Sequence, residues 1–326
     1  MNSAAKAVRN RTASLGLKLP WHVQRNDQAR ISRLFNDLRC RISHRLLGFF
    51  LVELRWNLRG HKVLSSDAPQ IGASRIDMSG KNFRVQHTGK RTNIEGKHVT
   101  NKVLLATPDN EYQMMRGDLT YLDMPDHLSL HEPTQTIEFV YFPNRGMVSQ
   151  VVVTKDGRTV EVGVVGSEGY VGAGLAVGLS RSSVREVVQI AGDGFRMIGS
   201  ALQRILQSAP QLQMILARHT GLQGMQVAQT AACNRLHDIQ QRLSRWLLMT
   251  QDRVDLGILP ITHDFIATMM GTDRSTVSVA AAVMQKKGII EYVRGAVRVV
   301  NRRKLQSSSC ECYGVIQQFE DDLGLR

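Results

Sequence analysis

Apolar and polar residues follow two different periods after about residue 102, and the change of period divides this part of the chain. Valine-rich runs bounded by turn residues predict four strands, at Ile137–Phe142, Met147–Thr154, Thr159–Val165 and Val184–Ile190. The segment Lys155–Arg158 contains an Asp-Gly pair, which predicts a hairpin turn between the second and third strands. Short strands joined by glycine-containing turns are typical of an antiparallel roll or barrel.

Beyond Gly194 the period becomes helical. Pro210 suits a first helical turn, and the helix it opens can run to about Arg235. Its apolar stripe consists of Leu212, Ile215, Leu216, His219, Leu222 and Met225. Such a stripe can form a seam between two chains, or it can pack on the β-roll of its own chain.

Residues 261–290 read ITHDFIATMMGTDRSTVSVAAAVMQKKGII and predict two short helices. Thr262 can cap the first helix, and Gly271 stands where a tight turn needs a positive φ. Asp273 can cap the second helix, which stops at Gly288. The second helix has apolar residues at helical spacing, namely Val277, Ala280, Ala281 and Met284. This arrangement is typical of a helix-turn-helix.

Two β-rich runs broken at Arg294–Gly295 follow at once and predict a hairpin, or wing. We expect DNA contacts from polar residues of the motif and the wing, namely Thr262, Arg274, Ser275, Thr276, Ser278 and Arg294. Arg274 is the best candidate for reading a guanine. Because helix-turn-helix proteins usually bind as dimers, the long helix is expected to form a seam that buries Leu212, Ile215 and Leu222 between chains.

The distribution of charge refines this interpretation. The chain has a formal net charge of +14. Residues 1–100 contain 19 lysines and arginines against 6 acidic residues, so much of the excess lies outside the motif. Residues 235–304 contain 12 basic and 6 acidic residues, which fits a surface that faces phosphates.

The first hundred residues lack a sustained pattern. One basic amphipathic helix is predicted between Ile31 and Phe49, and it could lie on a membrane or on nucleic acid. We favour a dispensable, poorly ordered extension. The longest apolar run, Leu46–Val52, is too short to span a membrane, and four scattered cysteines fit a reducing cytoplasm. A cytoplasmic protein without a membrane partner is expected.

The order of β-roll, glycine-rich loop, long helix and winged helix-turn-helix resembles the Crp/Fnr family of bacterial transcription regulators, over roughly Lys102–Leu305. Positions that match the family's motif are Thr262, Ala267, Gly271, Arg274, Thr276 and Val277. Ser275 and Val279 stand where the family's Glu and second Arg usually read bases. The usual operator is therefore not implied.

The resemblance implies an α+β fold with a cyclic-nucleotide-binding-like β-roll (double-stranded β-helix), a dimerisation helix and a winged helix-turn-helix. The expected divisions are an extension at 1–100, a sensor at 101–206, a helix at 207–236 and a DNA-binding domain with a tail at 237–326. It further implies a homodimer that reads palindromic double-stranded DNA at promoters, with RNA polymerase as a partner. The alternative is a cyclic-nucleotide-binding-like signalling module without a regulatory role on DNA.

A small-molecule effector would be expected at the glycine-rich loop between Gly166 and Ser183. Candidate effector residues are Gly166, Glu168, Gly169, Arg181 and Ser182. The family's Gly-Glu-Leu cassette is changed here, since Gly169 follows Glu168, and Arg185 competes with Arg181 for the phosphate. We therefore expect that cyclic AMP is not bound in the usual way.

The remaining candidate for chemistry is the pair Cys310 and Cys312. Two thiols this close could bind a metal or sense oxidants, but no nearby histidine completes a ligand set, and ordinary small residues that open a final helix are the favoured interpretation. The sequence also has no Ser/His/Asp constellation, metal set or Walker loop. No enzyme activity, cofactor or metal is expected.

Overall fold

In the computed structural model, which describes residues 91–254, 256–322 and 324, an antiparallel sheet precedes a long helix and a helical C-terminal region. The helices are α1 (Lys102–Ala106), α2 (Asp109–Arg116), α3 (Gly199–Leu206), α4 (Pro210–Leu236), α5 (Ile239–Arg253), α6 (His263–Met270), α7 (Arg274–Lys286), α8 (Arg302–Ser307) and α9 (Cys312–Asp322). The strands are β1 (Thr120–Met124), β2 (Ser129–His131), β3 (Phe139–Val153), β4 (Thr159–Val165), β5 (Arg185–Ile198), β6 (Ile258–Leu259), β7 (Ile290–Val293) and β8 (Ala296–Val299). The helix predicted between Ile31 and Phe49 lies outside the described residues.

The β-roll begins earlier than predicted. Arg91, Asn93 and Val99 are buried, although they were assigned to the extension that ends at residue 100. The Arg91 guanidinium donates to the Asp109 carboxylate at 2.5 Å, and the Asn93 amide donates to the carbonyl of Leu119 at 3.2 Å. These bonds connect residues 91–100 to the rest of the roll, so the predicted boundary is corrected to a position at or before residue 91.

The sheet of the roll is antiparallel, with strand order β1-β5-β3-β4 and with β2 paired to β5. Two of the predicted strands are one strand, β3, which continues through Pro143 and Gly146. Its register against β5 shifts between Pro143 and Val148, and Gly146 has a φ of +86°. A strand can absorb turn-forming residues as bulges without ending, which explains why the sequence pattern suggested a turn there.

β5 extends eight residues beyond the predicted end at Ile190. The sequence Gly192-Asp193-Gly194 resembles a turn, but Asp193 is buried in the strand and accepts from Arg145 Nε at 2.5 Å and from the Asn144 amide at 3.4 Å. Partners on β3 therefore satisfy the carboxylate that makes this segment look like a loop.

The helix α4 confirms the predicted length and start, with Pro210 in its first turn and Leu236 as its last residue. The predicted seam face is wrong within the described chain. Leu212 and Leu216 are buried in the core of the helix's own β-roll, and Leu222 is also buried within the chain. His219 is 2% exposed against Tyr170, with ring centroids 5.1 Å apart. A helix that is apolar on two sides gives no sequence signal of which side faces its own domain.

The C-terminal region has a core built from α5, the helix-turn-helix and the final helices, and Met147, Val164 and Ile190 of the β-roll pack into it. Asp238 and Gln241 form a capping box at the start of α5. The Arg253 guanidinium bonds to Glu168 of the roll at 2.7 Å and to Glu320 of α9 at 2.8 Å. Among the described residues, no helix is long and apolar enough to cross a membrane.

Candidate nucleic-acid interface

The first helix of the motif, α6, is fixed at both ends by local chemistry. Thr262 accepts a hydrogen bond from the backbone N–H of Phe265 at 3.1 Å, as the sequence predicts. Gly271 ends the helix with φ +60° and ψ 43°, a conformation that costs a residue with a Cβ about 1 kcal/mol or more. The N–H of Thr272 then donates to the carbonyl of Ala267 at 3.0 Å. This closure sets the angle at which the chain enters α7.

The second helix, α7, packs through the predicted residues. Its buried side chains are Val277, Ala280, Ala281 and Met284. Asp273 occupies the N-cap position, but its side chain makes no capping hydrogen bond, so that part of the prediction is wrong. N–H groups in the first turn of a helix that lack a side-chain cap can receive phosphate oxygens.

The outward face of α7 begins with two predicted contact residues, Arg274 and Ser275, which are both exposed. Thr276 and Ser278 are only partly exposed, and Ser278 Oγ lies 3.0 Å from His263 Nδ1. Val279, which stands where the family's second Arg usually reads bases but was not itself predicted as a contact, is 68% exposed on this face. The face therefore combines a guanidinium, a hydroxyl and an apolar surface.

Arg274 forms an exposed ion pair with α6. One guanidinium nitrogen lies 3.2 Å from Asp264 Oδ2, and both side chains are about two-thirds exposed, at 67% and 65%. Exposed pairs of this kind contribute roughly 0–1 kcal/mol. Arg274 can therefore leave Asp264 for a stronger acceptor at small cost.

The wing is a hairpin of β7 and β8, with Val293 opposite Ala296 and the predicted turn at Arg294–Gly295. Gly295 has a φ of +75°, which the turn requires. Arg294 is exposed at the tip, as expected for a phosphate contact. β6 pairs with β8 and connects the hairpin to the end of α5.

A histidine that the sequence did not suggest joins the three parts of the motif. The His263 ring lies 4.0 Å from the Tyr292 ring of β7, between centroids, while its Nδ1 contacts Ser278 of α7. Burial, with a smaller contribution from the charge of Arg274, lowers the pKa of His263. A neutral imidazole at this junction supports packing of the wing against both helices.

The comparisons with known proteins agree with this geometry. Residues 241–308 match the family model of the Crp-like helix-turn-helix domain. The chain carries a Crp-like helix-turn-helix domain. FixK2 from Bradyrhizobium japonicum has a similar structure, with 16% identity, coverage of 59% of this chain and 98% of its own, and a TM-score of 0.51.

Two further solved structures are similar at the same level. The global regulator CLP of Xanthomonas campestris is 16% identical over 60% of this chain and 100% of its own, with a TM-score of 0.51. A Crp/Fnr-family protein from Eubacterium rectale is 12% identical over 63% of this chain and 96% of its own, with a TM-score of 0.50. A search of curated protein sequences finds no match. The described residues thus have the Crp/Fnr fold, which confirms the resemblance seen in the sequence.

Two further contacts, beside the Arg253–Glu168 ion pair, attach the Crp-like domain to the β-roll. Trp246 of α5 donates to the Glu161 carboxylate of β4 at 2.7 Å, and Ser149 donates to the same carboxylate at 2.5 Å. Burial raises the pKa of Glu161 to about 7. A Cβ on Gly271 would lie 3.2 Å from Val160, so the turn of the motif sits directly against β4.

The residues predicted to hold an effector do not form one site. Glu168 is buried in the ion pair with Arg253 and accepts from the N–H of Gly166 at 3.0 Å. Gly169 packs against His219, where a Cβ would lie 1.9 Å from the ring. These three residues connect the roll to α4 and α5, and that structural role explains the glycines.

The other two predicted effector residues lie elsewhere. Arg181 lines an open cleft of about 640 Å³ together with His131, Thr136 and Tyr141. Ser182 is buried, and its hydroxyl donates to the carbonyl of Val184 at 2.7 Å. Inside the roll, the Glu186 carboxylate is bound by His131 at 2.5 Å and by Gln150 at 2.9 Å. The cassette of a cyclic-nucleotide site is therefore not assembled from the predicted residues.

Proposed function

We propose that the protein is a sequence-specific DNA-binding transcription regulator of the Crp/Fnr type, which acts as a homodimer on a palindromic site in promoters, in contact with RNA polymerase. The observation that carries the proposal is the outward face of α7, which presents Arg274 and Val279 beside an exposed wing. The match of residues 241–308 to a Crp-like helix-turn-helix domain supports it.

In this proposal α7 enters the major groove with its N-terminal end first. Arg274 leaves Asp264 and bonds to O6 and N7 of a guanine, and Ser275 contacts an adjacent base or phosphate. The isopropyl group of Val279 fits the methyl group of a thymine, which is the apolar feature of the major groove. Thr262 at the start of α6 and Arg294 on the wing then contact phosphates.

The outer face of α4 supports a homodimer. Exposed or partly exposed residues recur at alternating steps of four and three along it, namely Met214, Arg218, Gly221, Met225, Ala228, Ala232 and Arg235. This is the spacing at which two helices pack as a coiled coil. A Cβ on Gly221 would meet nothing within 4 Å, so the middle of the stripe is open to a close neighbour. We assign this face to a second copy of the chain, in place of the stripe predicted from Leu212 and Leu222.

Cyclic AMP is not the effector in the usual mode under this proposal. Glu168 is engaged by Arg253, and Glu186 inside the roll is engaged by His131, so neither is available to a ribose. The buried carboxylate of Glu186 inside the roll also disfavours the approach of a negatively charged phosphate. An effector of another kind would enter the cleft lined by Arg181.

The proposal is tested by selecting bound sequences from a pool of random duplexes with the purified full chain. We expect enrichment of a two-fold symmetric site whose half-sites are about one helical turn, or about 34 Å, apart. The Arg274→Ala variant serves as the comparison and should enrich a site with less information at one guanine position of each half. Enrichment of no sequence over the starting pool would contradict the proposal.

A further inference from the structure

Four metal-binding side chains from distant parts of the chain meet at the end of α4. Cys233 lies in its last turn and His237 just beyond it, while Cys310 lies two residues before α9 and Cys312 is the first residue of α9. Their donor atoms all lie within 4.8 Å of one another. Cys233 Sγ is 3.5 Å from Cys310 Sγ, and Cys312 Sγ is 3.5 Å from His237 Nδ1. The expectation that no histidine completes the set is therefore wrong, because His237 comes from another helix.

We propose that Cys233, His237, Cys310 and Cys312 bind one divalent metal ion of the zinc class in a tetrahedral Cys₃His site. Zn–S bonds of about 2.3 Å and Zn–N bonds of about 2.0–2.1 Å place tetrahedral donors roughly 3.5–3.8 Å apart. The Cys233–Cys310 and Cys312–His237 separations, both 3.5 Å, match that range, so a single ion can enter with only small side-chain movements. Soft thiolate ligands with one imidazole suit zinc better than magnesium or calcium, which prefer oxygen ligands.

The surroundings orient the donors. The Glu311 carboxylate lies 3.2 Å from His237 Nε2, on the side of the ring opposite the thiols. A proton held at Nε2 by a carboxylate leaves Nδ1 with a free lone pair, which is the arrangement seen around metal-bound histidines. The Gln229 amide donates to Cys312 Sγ at 3.1 Å and supplies a hydrogen bond to a ligating sulfur.

The site is enclosed as a structural metal site would be. The three cysteines are between 0% and 4% exposed and form a small cluster of their own, and His237 is only partly exposed. All four positions are supplied by the protein, which leaves no open coordination position for a substrate. The pattern indicates a structural ion rather than a catalytic one.

The position of the site suggests what the ion does. His237 is the residue at which the chain leaves α4, with φ −110° and ψ 150°, before α5 begins at Ile239. The ion would join this junction to the segment between α8 and α9. The angle between the long helix and the helix-turn-helix would then be held by metal–ligand bonds in addition to side-chain packing.

Cobalt substitution of the full chain tests the site. The reduced protein is stripped with a chelator and titrated with Co²⁺, and we expect saturation at one ion per chain. The spectrum should contain the intense ligand-field bands of tetrahedral, thiolate-bound cobalt, and Zn²⁺ should abolish them. The matched control is Cys40→Ser, which changes the fourth cysteine of the chain and should leave the titration unchanged.

Three variants distinguish the ligands from their neighbours. Cys310→Ser and Cys312→Ser should lose the tetrahedral spectrum at stoichiometric cobalt. Glu311→Gln changes an exposed side chain that does not reach the ion, so the protein keeps its fold, and metal affinity should fall about 10- to 100-fold. The proposal is overturned by a wild-type chain that takes up no tetrahedral cobalt, by a full spectrum in Cys312→Ser, or by an iron–sulfur absorption in the anaerobically purified chain.

Discussion

Arg274 illustrates how much depends on a single exposed side chain. Its neighbour Asp264 holds the guanidinium at the surface of α6 and α7 without burying it, so the charge is available to a base or to a phosphate. A base contact specifies the sequence, whereas a phosphate contact only positions the protein. The two roles differ in what happens to specific and random DNA when the side chain is removed.

We predict that Arg274→Ala weakens binding to the selected site by about 1–3 kcal/mol, while binding to random DNA changes much less. Fluorescence anisotropy at several salt concentrations measures both affinities. Arg204→Ala is the matched control, because it removes the same charge from an exposed side chain of α3 and should leave both affinities unchanged. An equal loss on both DNAs, with a salt slope lower by about one unit, would assign Arg274 to a phosphate instead.

The buried Glu161 should make the stability of the protein depend on pH. Burial raises its pKa to about 7, so between about pH 4.5 and pH 7 the folded chain holds a proton that the unfolded chain does not. Wild-type stability should therefore fall as the pH rises through this window. In Glu161→Gln the amide oxygen can still accept the hydrogen bond from Trp246, and the side chain cannot ionise. The free energy of unfolding of the variant, relative to that of wild type, should rise by up to about 3 kcal/mol as the pH increases from 5 to 8. Urea denaturation at each pH measures this difference. A difference that stays constant with pH would contradict this.

At the scale of single elements, the helix-turn-helix was predictable because its signals are local. A capping threonine, a glycine with positive φ and apolar residues at helical spacing all lie within 30 residues. The face of α4 was not predictable, since Leu222 and Met225 are both apolar and only the folded structure shows that Leu222 is buried while Met225 is exposed. The quartet of Cys233, His237, Cys310 and Cys312 was missed for the same reason, because its halves are separated by more than 70 residues.

A charge placed on the outer face of α4 should disrupt the proposed dimer. Met225→Glu places a charge in the proposed seam, where a partner chain would have to desolvate it. Sedimentation velocity should show a shift from dimer to monomer, with a loss of DNA affinity. Met114→Glu is the control, because Met114 on α2 has a similar exposure, 41% against 40%, and lies outside the seam. A dimer that persists in Met225→Glu would place the interface on another surface.

At the scale of the whole molecule, the start of the folded unit can be tested by truncation. Arg91, Asn93 and Val99 are buried, and Arg91 and Asn93 hydrogen-bond to Asp109 and Leu119, so a chain that begins at Asn101 loses these contacts. We expect it to be less stable by roughly 2–4 kcal/mol, as for other losses of buried hydrogen bonds and core side chains. A chain that begins at residue 85 should keep wild-type stability in urea and bind the same site. Equal stability of the two truncated chains would contradict this boundary.

The proposed function requires two copies of this chain to read the two halves of one DNA site. Its most direct test is the stoichiometry and affinity of the purified chain on three duplexes, which carry the whole selected site, one half-site or a scrambled sequence. We expect two chains per duplex on the whole site, with affinity at least about 1,000-fold tighter than on the scrambled duplex, and much weaker binding to one half-site. One chain bound with equal affinity to the whole site and the half-site, or no preference over the scrambled duplex, would contradict it.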